Sequence, residues 1–437
     1  MKKIALSSQW SMMEAPFRDI HGPSIAIPSQ YLDRLGQVHY FLDLKNSKGC
    51  RVDIDLSNHV MGLQSGQNTK AGYFPLNIPN WNLWQKFCIG PHSDILLRQQ
   101  CFLVGQRAFN RFIELDLKKK TASLLDLEVE DDFLSCTNWI NPVTGDVWFA
   151  SWSLQDSIQR ISDPRALVRV RIWQFSASSQ HIYKVWDGHA GDFLHQLNIS
   201  EDGRYLVLCE MGMRPAIDVP PGHPGQYPNQ WKIFLEQGII PSEILVLDLE
   251  KGSEWKLSIP AATPAHVEFD SRNPHKFYVS CHNIGLVEGA NVLFGPGTIY
   301  CFELHSDGPH EKRFFTAQDF YRITTHHVFN HQGRTLIGVT GFPDTVFLLD
   351  AETMKLNKKI RLFNGEKIST EFQPHFCKQD HRSPYSLSVS EDGNTLYVVG
   401  SGVFFVIDVE TGLLKESPWM FYQERDNETI TGHLTSY

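Results

Sequence analysis

Short apolar runs separated by turn residues fill most of the chain, and the stretch Pro384–Gly412 shows the pattern most clearly. Leu387 and Val389 alternate with serines, which is the period of a half-buried strand. The apolar runs LYVV and VFFVIDV follow, each after a turn containing glycine (SEDG, then SG). Three strands joined by tight turns predict an antiparallel meander, which is the unit of a β-propeller blade.

A marker at the end of the third strand repeats along the chain. It is a triplet with a polar, usually acidic, residue between two apolar ones, and its seven copies are Leu42-Asp43-Leu44, Leu115-Asp116-Leu117, Trp173-Gln174-Phe175, Leu247-Asp248-Leu249, Phe302-Glu303-Leu304, Leu349-Asp350-Ala351 and Ile407-Asp408-Val409. We interpret the acidic residue as a turn former whose carboxylate accepts hydrogen bonds from following amides. The repeat predicts an all-β fold, a single seven-bladed β-propeller that spans residues 1–437 with long loop insertions.

Two insertions lengthen the repeat beyond a bare blade. Residues Met211–Pro241 interrupt blade four with a Pro/Gly-rich loop that is too long for a turn, and such loops are usually functional. Residues Asn58–Gly90 are rich in aromatic side chains, which can form either a hydrophobic plug on the ring or one wall of an apolar ligand pocket. One end of the chain must close the ring, and the sequence does not indicate which.

Composition narrows the class of partner. Of the 437 residues 42% are hydrophobic and 20% are charged, as in an ordinary globular protein. The net charge of −9 argues against a nucleic-acid surface, and no apolar run reaches the roughly 20 residues of a membrane-spanning helix. The eight cysteines form no CxxC pair and are interpreted as reduced thiols, which favours a cytoplasmic protein. No nucleophile elbow, P-loop or dinucleotide fingerprint occurs, which argues against a serine hydrolase, a kinase and a Rossmann enzyme. The expected partner is a small-molecule substrate.

Histidines are unevenly distributed, since 15 of the 19 follow residue 180. His195 lies seven residues before the Asp-Gly of its blade's first turn, and Tyr385 lies seven before the Asp-Gly of blade seven. His266 and the pair His326-His327 fall at or near the same position in blades five and six. Because the first strand of each blade lines the central channel, we expect these side chains to converge near one mouth of it.

A second layer of candidate residues lies at the ends of the second strands. Glu210 follows Cys209 in blade four, and His282 follows Cys281 in blade five. Histidines with a glutamate from successive blades are typical of a metal site, although a channel histidine can equally be a structural hydrogen-bonding residue. Catalytic roles as acid and base are predicted for His195, Glu210 and Tyr385.

Two stretches resemble a known family. AHVEFDSRNPHKFYVSCHNIG (Ala265–Gly285) and THHVFNHQGRTLIGV (Thr325–Val339) are similar to the histidine blades of oligogalacturonate lyases, which are seven-bladed propellers that hold a divalent metal. The resemblance implies that His266, His282 and His327 are metal ligands, with Mn, Fe or Zn as the ion. The remaining blades resemble the broad class of lactonase-like and quinoprotein-like propellers.

Three functions follow from these observations. The first is a metal-assisted lyase or isomerase that acts on a small polar substrate at the channel mouth, where the ion polarises a carbonyl and a nearby base removes the adjacent proton. The second is a metal-independent acid–base enzyme, such as a cyclase or isomerase, that acts on an apolar natural-product-like substrate. The third is a non-catalytic propeller that presents its faces to a partner protein.

Overall fold

The computed structural model describes most of the chain. The residues outside the description are 1, 15–23, 32–35, 58–90, 99–100, 107–110, 128, 130–132, 154–155, 157–166, 177, 191–193, 211–241, 260–263, 283, 288–289, 294–295, 318–319, 321–322, 324, 342–343, 363–383, 385, 401–402, 417–418, 421–427, 431 and 437. Both predicted insertions, 58–90 and 211–241, lie among them, as does Tyr385. The described part is an all-β structure of seven antiparallel blades arranged as a β-propeller.

Strands from both ends of the chain contribute to the first two blades. The first two strands of the chain are β1 (Lys2–Leu6) and β2 (Ser8–Glu14). The strands of blade one that follow are β3 (Ser24–Tyr31), β4 (Gly36–Asp43) and β5 (Lys48–Asp55). Blade two consists of β6 (Pro91–Arg98), β7 (Cys101–Gln106), β8 (Arg111–Asp116) and β9 (Thr121–Asp126).

Blades three, four and five are four-stranded and run from the channel outwards. Blade three consists of β10 (Phe133–Ile140), β11 (Val147–Ser153), β12 (Val168–Phe175) and β13 (Ile182–Ala190). Blade four consists of β14 (Leu194–Ile199), β15 (Tyr205–Glu210), β16 (Ser242–Asp248) and β17 (Ser253–Ile259). Blade five carries an extra hairpin, and its strands are β18 (Pro264–Asp270), β19 (Asn273–Cys281), the hairpin β20 (Ile284–Val287) and β21 (Ala290–Leu293), then β22 (Thr298–His305) and β23 (Gly308–Phe315).

Blades six and seven complete the series. Blade six consists of β24 (His326–His331), β25 (Arg334–Gly341), β26 (Thr345–Asp350) and β27 (Lys355–Arg361). Blade seven consists of β28 (Ser386–Val389), β29 (Thr395–Gly400), β30 (Val403–Asp408) and β31 (Trp419–Met420). The last strands of the chain are β32 (Glu428–Ile430), β33 (Gly432–His433) and β34 (Thr435–Ser436).

The C-terminal strands close the ring. β32 and β34 pair antiparallel with β3, while β33 pairs parallel with β6, the inner strand of blade two. The C-terminal segment therefore supplies the innermost strand of blade one in two short pieces, and a third piece lies inside β6 of blade two. Leu434 is buried with residues of blades one and seven, and its amide donates to Ser386 Oγ at 2.9 Å. Blade one thus combines both ends of the chain, and no open edge is left on the channel side of β3.

The N-terminal strands cover outer edges instead. β2 pairs with β5 over seven residues, and β1 pairs with β9 over five, so blades one and two each gain a strand on the side away from the channel. An exposed edge strand can pair with another chain, and a covering strand prevents this. Among the described residues no helix is both long and apolar enough to cross a membrane.

The acidic residue of the repeated triplet forms turns, as its position predicts. Asp116, Asp350 and Asp408 each accept a hydrogen bond at 2.8 Å from the amide three residues later. Asp248 accepts the amides of the two residues Glu250 and Lys251. These carboxylates therefore fix the turn between the third and fourth strands and do not reach the channel.

The turn after the first strand packs one blade against the next. In blade seven Gly393 has φ of +69°, a conformation that costs glycine little. A Cβ at this position would lie 1.7 Å from the carbonyl oxygen of Asn330 in blade six. The turn needs glycine both for its backbone conformation and for the close approach of the neighbouring blade.

Candidate active site

The histidines predicted from the sequence lie at one rim of the ring, where the inner strands begin. His195 is the second residue of β14, His266 is the third residue of β18, and His282 directly follows β19. In an antiparallel blade the start of the first strand adjoins the end of the second, so all three belong to the same rim. Glu210 and Ser242, the strand ends that flank residues 211–241, lie at this rim as well.

A β-bulge directs His195 towards blade five. Leu194 pairs with Glu210 and Gln196 pairs with Cys209, so His195 is the extra residue of a β-bulge. A bulge bends its strand and changes the direction of a side chain, and bulges are common next to active sites. The bulge explains how a residue of blade four reaches a histidine of blade five.

Three imidazoles form a continuous chain across the join between blades four and five. His195 Nε2 lies 3.0 Å from His266 Nε2, and His266 Nδ1 lies 3.2 Å from His282 Nε2. His266 and His282 are buried, with 2% and 5% of their surface exposed, whereas His195 is half-buried. We call these three residues the histidine relay. Its solvent-side end is His195.

The relay can transfer a proton because its central member uses both ring nitrogens. A neutral imidazole has one N–H donor and one acceptor nitrogen. If His195 donates to His266 Nε2, then His266 carries its proton on Nδ1 and donates to His282. When His195 takes up a proton on Nδ1, one proton can move along each bond, which reverses the direction of both hydrogen bonds. The added charge then resides on His282, which becomes neutral again when it releases its Nδ1 proton.

A glutamine holds the two strands of this join together. Gln196 is buried, with 3% exposed, and its Oε1 accepts the amide of Val267 at 2.8 Å. Gln196 directly follows His195, and Val267 directly follows His266. The hydrogen bond therefore joins the two backbones one residue away from the contact between the two imidazoles.

The join between blades five and six carries a carboxylate. Glu268 Oε2 accepts the amide of Val328 at 2.6 Å, and both of its oxygens lie 3.1 Å from His327 Nδ1. Burial alone raises the pKa of the Glu268 carboxyl. The charges of His327 and His326 and the hydrogen bonds from His327 and Val328 outweigh burial and hold the pKa below its usual value. Glu268 is therefore an anion paired with His327.

The structure brings some of the predicted site residues together and separates others. His195, His266 and His282 meet in the relay, while His327 lies against Glu268. The backbone of Glu210 pairs with Leu194, one residue from His195, and its side chain lies outside the description, as does all of Tyr385. The roles assigned to these residues as ligands or catalysts stay predictions.

Within the described part of the chain, no group of three or more His, Cys, Asp or Glu side chains is arranged to hold a metal ion. Both nitrogens of His266 already face other imidazoles, and His282 approaches the nitrogen opposite to the one that faces His195. One ion cannot bind both nitrogens of a single ring. The described donors therefore do not fit a three-histidine metal centre.

Sequence reasoning missed Gln196, Glu268 and Ser280. Glu268 lies two residues after His266 and so on the same face of β18, which is the one local signal that could have indicated it. Ser280 pairs in register with His266, and its Oγ lies 3.0 Å from Nδ1 of His326. This contact crosses from blade five to blade six, and no spacing within one blade predicts it.

Comparison with known proteins found one structural likeness, and it carries no argument about this chain. No family model matches the chain, and no curated protein matches it. Among solved structures it is similar to the hydrazine synthase of Kuenenia stuttgartiensis, with 11% sequence identity and a TM-score of 0.48 over 76% of this chain and 80% of that chain. No argument about activity follows from a likeness at this level. The chain is a seven-bladed β-propeller, and its function rests on the site.

Proposed function

We propose that the protein is an acid–base enzyme of the lyase or isomerase class, acting on a small polar substrate at the channel mouth. The observation that supports it is the His195–His266–His282 relay, whose half-buried end faces the rim and whose other members are buried. His195 removes a proton from a carbon next to a carbonyl, and the electron pair of that bond forms the enolate. The proton held by the relay then returns to a neighbouring carbon in an isomerisation, or to the departing group in an elimination.

The local similarity of residues 265–339 to oligogalacturonate lyases is a second support for lyase chemistry. It makes a carboxylate-bearing substrate the first to test. A metal-assisted form of the reaction would need donors beyond those of the described residues, so no step is assigned to an ion. We also propose a cytoplasmic location, because Cys50, Cys101, Cys281 and Cys301 are free thiols.

Deuterium incorporation tests the proposal across many candidate substrates at once. The protein is incubated in D2O with a panel of small carboxylates, ketones and aldehydes, and the loss of C–H signals next to the carbonyl is followed by proton NMR. The wild type is expected to exchange at least one compound. His195→Gln is expected to lower the rate by about 10²–10⁴-fold, the contribution typical of a general base.

His310→Gln is the matched control, because His310 is exposed and its side chain bonds only the local Asp307 among the hydrogen bonds shown. It is expected to exchange at the wild-type rate. Exchange that survives in His195→Gln would contradict the proposed role. A wild type that exchanges nothing, but captures a partner protein, would favour the binding propeller.

A further inference from the structure

We infer that Gln196 is a positioning residue that sets the contact between His195 and His266. The inference rests on the proposed function, since it assigns a role within the relay. Gln196 does not touch the reacting atoms. It acts by holding together β14 and β18, the two strands between which the proton passes.

The geometry makes this hydrogen bond the nearest fixed point to the relay. His195 is the bulged residue of β14, at the point where the ladder with β15 shifts its register. Gln196 is the next residue, and it pairs with Cys209 in the ladder while its side chain reaches Val267 in blade five. The side chain therefore connects the bulge to the residue that follows His266.

The two contacts of the relay lie at different places in the fold. The His266–His282 contact lies within blade five, where the ladder between β18 and β19 fixes it. The His195–His266 contact crosses between blades that share no ladder. A hydrogen bond of 3.0 Å weakens steeply when the donor and acceptor separate or tilt. Loss of Gln196 is thus expected to affect the first contact and to spare the second.

At the join between blades five and six, a side chain also accepts a backbone amide of the next blade. Val328 occupies in blade six the place that Val267 occupies in blade five, directly after a histidine, and its amide is also bonded by a side chain of the preceding inner strand. There the acceptor is Glu268, which bonds the amide and the histidine at once. At the join between blades four and five the two tasks are divided, so that Gln196 holds the backbone and His195 is left to bond His266.

Nitrogen NMR of protein labelled with 15N at the histidine rings measures the two contacts separately. An N–H···N hydrogen bond gives a scalar coupling between its two nitrogens, so the wild type is expected to show one coupling for each contact. Gln196→Met removes the acceptor and is expected to lose the His195–His266 coupling and to keep the His266–His282 coupling. Gln196→Glu retains an oxygen acceptor and is expected to keep both.

Thr340→Val serves as the matched structural control. Thr340 is fully buried in blade six and bonds the amide and carbonyl of Thr325, so this variant also loses buried hydrogen bonds, but away from the relay. It is expected to keep both couplings. Deuterium incorporation is expected to fall about 10²-fold in Gln196→Met, the size of loss that a small misplacement can cause, and to stay unchanged in Thr340→Val.

Retention of both couplings in Gln196→Met would overturn the positioning role and leave the proposed function standing. Absence of the His195–His266 coupling in the wild type would overturn the relay itself, and the proposed function with it. Loss of both couplings in Thr340→Val would show that any buried hydrogen bond supports the relay, which also contradicts a specific role for Gln196.

Discussion

At both joins of blade five, with blade four and with blade six, a side chain accepts a backbone amide of the neighbouring blade. The two joins differ in the charge of that side chain. On the side of blade four, a neutral amide, Gln196, holds the backbone and three imidazoles meet. On the side of blade six, a carboxylate, Glu268, holds the backbone and one imidazole. Of two imidazoles that share a hydrogen bond, either ring can be the donor. A carboxylate beside an imidazole favours the charged form of the ring.

This difference separates a site that can transfer protons from one that stabilises the fold. At the join between blades five and six the charge of Glu268 favours one protonation state of His327, which suits a lasting contact between blades. At the join between blades four and five each bond of the relay connects two imidazoles, so either ring can donate. We therefore place the chemistry at His195 and assign Glu268 to stability.

The largest expected loss of stability follows removal of the Glu268 carboxylate. Glu268→Ala leaves the amide of Val328 without its acceptor and His327 without its anion, and is expected to lower the free energy of unfolding by about 3 kcal/mol. Gln196→Met, which removes one neutral hydrogen bond, is expected to cost only about 1 kcal/mol. Urea unfolding of both variants measures the two values. Equal losses would contradict the distinction between the joins.

A smaller loss of stability is expected when the centre of the relay is removed. His266→Ala deletes two buried hydrogen bonds and leaves a cavity, so the free energy of unfolding is expected to fall by 1–3 kcal/mol, on the order usual for such changes. A role as metal ligand alone predicts little change in the stability of the metal-free protein. Thermal unfolding in the presence of a chelator distinguishes a structural role of His266 from a role as metal ligand alone. A melting temperature equal to that of the wild type would favour the metal ligand.

The next expected effect is on the pH dependence of stability, which should differ between the two joins. The Glu268 carboxyl has its pKa held below the usual value, by charge and hydrogen bonds that outweigh burial. Its stabilising contribution is therefore present above the unfolded-state pKa of about 4.3 and is lost as the pH falls through the folded-state pKa. Glu268→Gln should flatten this part of the pH–stability curve, measured by unfolding between neutral and acid pH.

Gln196→Met is the matched comparison, since that join has no carboxylate among its described contacts. It is expected to shift the whole curve downwards and to keep the wild-type slope. A Glu268→Gln curve that is parallel to the wild type would show that the carboxylate is not the source of the acid sensitivity.

The sequence predicted the blades well because each blade is built from local patterns. The strand around Leu387 and the turn-forming Asp408 both depend on residues within one meander, and the structure confirms both. The alternation there does not mark a half-buried strand, since Ser386 and Ser388 are buried as well as Leu387. The innermost strands of blades one and two that come from the C-terminus could not be predicted, because β32, β33 and β34 are two or three residues long and too short to show a period. β32 pairs with β3, about four hundred residues away along the chain, and β33 pairs with β6, more than three hundred residues away.

The site was predictable in part for the same reason. Equivalent positions in successive blades brought His195 and His266 to one rim, and the end of β19 added His282. Which nitrogen faces which ring depends on the bulge at His195, and no spacing encodes it. The partner of His327 depends on Glu268 in another blade, so grouping His327 with His266 and His282 could not be tested from sequence spacing.

The smallest expected effect is the change in melting temperature caused by divalent ions. Because the described donors do not form a three-ligand group, Mn, Fe or Zn is expected to raise the melting temperature little, if at all. Thermal unfolding with and without each ion measures it, and His266→Ala is the control. A saturable rise in the wild type that disappears in His266→Ala would support the metal centre implied by the lyase resemblance.

The central claim, a relay of neutral imidazoles, is tested most directly by neutron diffraction from crystals of the deuterated protein. The account predicts one deuteron between His195 Nε2 and His266 Nε2, and one between His266 Nδ1 and His282 Nε2, with His266 carrying only one of the two. A metal ion between the two Nε2 atoms, or a His266 ring deuterated on both nitrogens, would contradict it.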